Sequence, residues 1–267
     1  MNILNSFRTH NNFEYSFICP PEEYLELMFN DILNYYNGIG YGDFIFNNEI
    51  IYKKPLGFNK YINSSILILG GGPTTKNISI NPPSYDYAWS VNHFTNLPSI
   101  PKIDLAVLGK EVNKFDKNLI KYISTNKTNI LFEEAKDDRK GEEYINSLFP
   151  NQVSWYNTRY QSKLGIGVRM VILAIMLGAK EIKIAGIDGW SIGGECNHSF
   201  QINKPSPKWG LSSEDVFHLT KRQFIIFWEY VLSLQTKYNF SIINLGEEYE
   251  ISEFGKITKQ WKNNLKK

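Results

Sequence analysis

From Ser65 onward the apolar residues of the chain fall into short runs separated by longer polar or helical stretches. The runs are "SILIL" (65–69), "YAWSV" (87–91), "DLAVL" (104–108), "NILFE" (129–133), "QVSWY" (152–156), "IKIAGI" (182–187) and "FSIINL" (240–245). Short apolar runs bounded by turn residues read as buried strands. Their alternation with helical segments predicts an α/β fold: a Rossmann-like, mostly parallel sheet flanked by helices.

Two helices stand out. "GIGVRMVILAIMLGAK" (165–180) is apolar on nearly every side, so it predicts a buried helix. Val168, Val171, Ile172, Ile175 and Met176 form its strongest stripe, and Gly178 is its expected stop. "SSEDVFHLTKRQFIIFWEYVLSLQTKYN" (212–239) begins with Ser212 or Ser213 as cap and with Glu214 and Asp215 in the first turn. Carboxylates there complement the helix dipole. Phe217, Phe224, Phe227, Trp228 and Val231 mark its buried side.

Between these helices, "DGWSIGGECNHSFQINKPSPKWGLSSED" (188–215) has no periodicity and starts straight after a strand. A long irregular stretch in that place reads as a binding lid. Residues 1–63 are expected to form an N-terminal helical or irregular appendage, with a helix over 20–38. A nucleotide-binding domain would then cover 64–250 and a basic tail 251–267.

Composition narrows the classes. The chain has 267 residues, 42% hydrophobic and 21% charged, which suits a globular core. A net charge of +2 argues against a nucleic-acid partner. The segment "KITKQWKNNLKK" (256–267) carries five lysines and no acid, and reads as a solvated tail or as a peripheral contact with an anionic membrane surface. Cys19 and Cys196 lack metal or disulfide spacing, and no leader or 18-residue apolar run is visible. The expected location is cytoplasmic, at most at the inner face of a membrane.

The candidate chemistry gathers where strands end. In an open α/β sheet, ligands bind beyond the carboxyl ends of the strands. The segment "SSILILGGGPTTK" (64–76) places Gly70, Gly71, Gly72, Pro73 and Thr74 at such an end. It is either a tight turn or a cradle of N–H groups for a phosphate. It has the spacing of neither the P-loop nor the dinucleotide fingerprint. Asn92 follows the next strand and either shapes a turn or reads a base or ribose. Asp188, with Gly189 and Trp190, follows strand 182–187. The acid there binds a ribose hydroxyl, a metal-bound water or a substrate hydroxyl, or else caps a turn. Gly165, Ile166 and Gly167 open the buried helix, whose free N–H groups suit an anion. His198 and His218 stand in or beside the lid, and imidazole suits acid–base work near neutral pH. Cys196 and His198 alone are too few for a metal site, so no metal is assigned.

In order along residues 64–250, these pieces resemble a superfamily. It joins the bacterial sialyltransferases that decorate lipooligosaccharide with the motility accessory factor and MptE-like proteins. "ILILGGGPTTK" is similar to its strand and G-x-G-P-[ST] turn, and Asn92 of "SVNHF" to the Asn after its next strand. "GIGVRMVILAIMLGAKEIKIAGID" resembles its buried helix, strand and GxD, and "NHSF" (197–200) a His–Phe element of the MptE-like branch. "IINLGEEYEISEF" (242–254) resembles the ending of that branch.

The resemblance implies a glycosyltransferase moving a sialic-acid-like (nonulosonic acid) sugar from a CMP-activated donor to a glycan or protein acceptor, without a metal cofactor. His218 matches the family's general base, Gly70, Gly72, Pro73 and Thr74 its phosphate turn, and Asn92 and Asp188 its nucleotide contacts. Lys163 stands near a family Arg, Ile166 replaces a Ser, and Asp215 precedes His218 where a Tyr is expected. Lys163, His198 and Asp215 are therefore candidates for substrate or catalytic support. The alternatives are an MptE-like, Mg²⁺-dependent pyrophosphokinase acting on a hydroxymethylpterin-type substrate, and a nucleotide-binding module without turnover. A homo-oligomer is a further expectation.

Overall fold

A computed structural model of the chain describes residues 44–46, 49–52, 58–78, 83–97, 101–109, 111–133, 139–156, 164–190, 195–196, 204–205 and 211–266. The expected helix over 20–38 lies outside them. A small antiparallel pair, β1 (Phe44–Phe46) and β2 (Glu49–Tyr52), precedes the main sheet.

All seven expected strands form, and all seven pair in parallel. They are β3 (Ser65–Leu69), β4 (Tyr87–Val91), β5 (Leu105–Leu108), β6 (Asn129–Glu133), β7 (Val153–Tyr156), β8 (Glu181–Ala185) and a last strand (Ser241–Asn244). Between the last two, residues 188–215 contain a two-residue antiparallel pair, β9 (Glu195–Cys196) with β10 (Lys204–Pro205), so the last strand is β11. The sheet order is β11-β8-β3-β4-β5-β6-β7. The chain thus starts at β3, builds outward to β7, then returns to add β8 and β11 on the other side. The reversal lies between β3 and β8, and in such sheets the crevice at that point is where ligands bind.

Helices cover both faces. On one face, α2 (Lys117–Asn126) buries Leu119 and Ile123, and α3 (Arg139–Leu148) buries Ile145, against Leu67, Ala106, Ile130 and Phe132 of the strands. A short α1 (Thr75–Ile78) follows β3. The other face carries α4 (Ile166–Met176), α5 (Ser213–Tyr238) and α6 (Glu253–Leu265). This division follows from right-handed crossovers, since strands added in opposite directions put their helices on opposite faces. The apolar character of α4 on every side is explained by its position: it packs on β3, β4 and β8, and its residues share one buried cluster with Phe224, Phe227 and Trp228 of α5. Gly178 ends the helix segment at φ 76°, as its place in the pattern predicts.

The expected solvated tail is a correction. Residues 253–265 are the helix α6, and Phe254, Ile257 and Thr258 of one face are buried. Phe254 stacks on Phe224 with ring centroids 3.9 Å apart and planes at 7°. The pattern Phe254, Ile257, Thr258, Trp261 is amphipathic, so burial of this face outweighs the solubility of its lysines. Lys256 pairs with Glu253 and Lys262 with Glu247, which leaves Lys259 and Lys266 without an acidic partner among the described residues. The basic surface is therefore smaller than five lysines suggest. No helix among the described residues is long and apolar enough to cross a membrane.

Candidate functional site at the carboxyl edge of the sheet

The glycine turn after β3 packs directly against the end of β8. Gly70 N–H donates to Ala185 O at 2.7 Å and Gly72 N–H to Gly186 O at 2.8 Å. A side chain at Gly70 would overlap Gly186, with the Gly186 carbonyl carbon 2.7 Å from the added Cβ. Glycine is thus required here by the approach of two backbones. Within the turn, Thr75 N–H donates to Gly72 O and Lys76 N–H to Pro73 O. Among the described residues, Gly71 keeps the one turn amide without an acceptor. The turn is therefore mostly a β3–β8 joint, and a phosphate would meet it at Gly71 rather than at a full nest of amides.

Thr74 and Asp188 close this joint. Thr74 is 0% exposed and Asp188 4%. Thr74 N–H donates to Asp188 Oδ2 at 3.0 Å, and its hydroxyl donates to the same carboxylate at 2.8 Å from Oδ1. The hydroxyl oxygen accepts in turn from Gly186 N–H at 2.8 Å. Burial pushes the Asp188 carboxyl above its ordinary value, while the Thr74 and Ser252 hydrogen bonds act in the opposite direction. Phe254 N–H donates to Asp188 O at 3.1 Å, and the Phe254 ring covers Gly189. The acid expected to face a ligand instead ties together the ends of β3 and β8 and the start of α6. Trp190 follows it, half-buried.

Asn92 holds the neighbouring edge. Its backbone is left-handed, φ 47°, a conformation Asn tolerates better than most residues. Its N–H donates to Val107 O at 2.8 Å, and its Oδ1 accepts from Gly109 N–H at 2.8 Å. Its Nδ2 donates to Glu111. Asn92 is thus a clasp between the ends of β4 and β5. Glu111 is the polar residue the sequence reading missed; an acid just past a buried strand, in "LGKEV", was the available signal.

The first turn of α4 lies over the same edge. Ile166 reaches Gly109, and Gly167 packs on Ile187 just beyond β8. At Gly165 no described residue comes within 4 Å of where a Cβ would stand. Among the described residues no side chain caps this helix start, whose N–H groups carry the positive end of the helix dipole.

His218 is on α5, its side chain 62% exposed, with Glu214 Oε1 3.7 Å from Nε2. Phe224 marks the level of the sheet edge, because it stacks on Phe254 beside Asp188. His218 lies six residues earlier, roughly 9 Å farther out at the helical rise. It stands in the first turns of α5 with its side chain turned to solvent. Asp215 receives the Ser212 hydroxyl at 2.6 Å and returns its own N–H to Ser212 Oγ at 3.1 Å at the start of α5. This identifies Ser212 as the cap. Lys163 and His198 lie outside the described residues.

Compared with known proteins, the chain matches no family model, no curated protein and no solved structure.

Proposed function

We propose that the chain is a nucleotide-dependent glycosyltransferase that moves a sialic-acid-like sugar from a CMP-activated donor to a glycan or protein acceptor. The observation that supports this reading is the placement at one sheet edge of Gly71, Asn92 and the start of α4, with His218 exposed in the first turns of the neighbouring α5. The phosphate of the donor would meet the Gly71 N–H and the positive end of α4. His218 would take the proton of the acceptor hydroxyl while that oxygen bonds to the anomeric carbon and CMP leaves with the broken bond's electrons. Glu214 beside it would orient the imidazole.

The pyrophosphokinase reading draws less support. Asp188, the Mg²⁺ ligand it needs, has both carboxylate oxygens engaged by Thr74. The residues serve as follows in the favoured reading: Asp188 and Thr74 shape the turn, Asn92 shapes the β4–β5 edge, and His218 does the proton transfer.

The test pairs CMP binding with donor turnover. Wild type should bind CMP and release it from a CMP-sugar in the presence of acceptor. His218→Ala should lose turnover by roughly 10² to 10⁴ and keep CMP affinity. Turnover at the wild-type rate in that variant removes His218 from the mechanism. Absence of CMP binding to wild type, with ATP and Mg²⁺ binding instead, overturns the reading.

A further inference from the structure

Glu111 is an exposed carboxylate held at the carboxyl edge of the sheet by the fold itself. Its loop is anchored from two directions. Asn92 Nδ2 donates to Glu111 and Asn92 Oδ1 accepts from Gly109 N–H at 2.8 Å. Lys114, 2% exposed, donates from Nζ to Gly109 O at 3.0 Å and stands 5.9 Å from the Phe132 ring centroid. Gly109 lets the carboxylate lie along the main chain: an added Cβ would stand 2.6 Å from Glu111 Oε2 and 2.9 Å from Ile166 Cδ1. Glu111 is nevertheless exposed, and among the described residues Asn92 is its one donor. A carboxylate has about four acceptor directions, so most of its capacity is left for a ligand at this edge.

The sheet position says what such acceptors suit. In dinucleotide-binding sheets an acid about 20 residues past the glycine turn, at the end of the second strand, accepts from a ribose hydroxyl. Here that place is taken by Asn92, whose oxygen is already used by Gly109. The charge arrives instead from Glu111, just past the third strand in order, β5, and is held by Asn92. We propose that Glu111, positioned by Asn92 and Gly109, binds the 2′-hydroxyl of the nucleotide's ribose and makes the site selective for ribonucleotides over 2′-deoxyribonucleotides. This rests on the nucleotide-transfer reading above and names the sugar that reading's nucleotide must carry.

The experiment is a calorimetric titration of the full chain with CMP and with 2′-deoxy-CMP. Wild type should bind CMP roughly ten- to a hundredfold more tightly, the range of a hydrogen bond to a charged acceptor. Glu111→Ala should weaken CMP by that factor, leave 2′-deoxy-CMP unchanged and bring the ratio near one. Gly109→Ala keeps the carboxylate but displaces it, and should narrow the ratio in the same direction. Glu111→Gln, which can still receive the Asn92 amide, should give an intermediate ratio. Equal binding of the two nucleotides by wild type overturns the inference while leaving CMP binding intact. So does an unchanged ratio in a Glu111→Ala chain whose circular dichroism is that of wild type. Binding of neither nucleotide overturns both this inference and the reading it rests on.

Discussion

Thr74 and Asp188 stand 114 residues apart in the chain, yet the Thr74 hydroxyl donates to Asp188 Oδ1 at 2.8 Å and accepts from Gly186 N–H at 2.8 Å. The two side chains bridge the strands between which the sheet reverses direction. A buried hydrogen-bonded pair at this point sets the relative position of the turn after β3 and the end of β8. It also receives α6 through Phe254 N–H.

Removing the carboxylate should therefore be costly. Asp188→Ala leaves the Thr74 N–H and hydroxyl buried without their acceptor, a loss of about 3 kcal/mol or more. Asp188→Asn retains one acceptor oxygen and should cost less. Thr74→Val, which removes both roles of the hydroxyl, should fall between them. Urea unfolding followed by circular dichroism measures all three. Equal stability of wild type and Asp188→Ala would remove the pair from the fold's support.

The same acid predicts a pH trend. Burial raises the Asp188 carboxyl in the fold above its ordinary value. The folded protein then holds this proton to higher pH than the unfolded chain, so the stabilisation belongs to the protonated form. It is full below the unfolded value and is lost as pH rises through the folded one. Relative to Asp188→Asn, which does not titrate, wild type should lose stability with rising pH across that window. A difference between the two that grows in favour of wild type as pH rises would contradict the direction.

Phe254→Ala should destabilise by about 3 to 5 kcal/mol, because a fully packed ring is replaced by a cavity over Gly189. A double-mutant cycle with Phe224→Ala should show coupling of about 0.5 to 1.5 kcal/mol, the range for stacked aromatic pairs. Additive losses would mean that the stacked geometry contributes nothing beyond burial.

His218→Ala offers the opposite signature. With its side chain 62% exposed, this imidazole carries no core packing. The change should leave unfolding within about 0.5 kcal/mol of wild type. Loss of turnover without loss of stability separates a chemical role from a structural one.

Much of this architecture was legible along the chain. The runs at 65–69, 87–91 and 129–133 coincide with β3, β4 and β6, because strands covered on both faces read as unbroken apolar segments. A serine cap at 212 or 213, Gly178 and the five apolar residues of α5 were legible for the same local reasons, since caps and periodicity act within a few residues, and the structure chose Ser212. The tail was misread because lysines stand on the outward face of α6 while its inward face holds only a few apolar groups. At the site, the residue types at the strand ends were visible, but their partners were not. Asp188 looked like a ligand-facing acid because nothing nearby in the chain could show Thr74 and Ser252 closing over it. Glu111 went unnoticed because its importance comes from Asn92, on a different strand.

The amino-acid sequence by itself determined the α/β class, the strands and the two long helices, since hydrophobic periodicity and capping are local properties of the chain. Only the tertiary structure decided the strand order, the reversal between β3 and β8, the docking of α6, and which polar groups are spent on each other. Those depend on which distant backbones approach within hydrogen-bonding distance. The joint from Gly70 and Thr74 to Gly186 and Asp188 has no counterpart in any single stretch of residues.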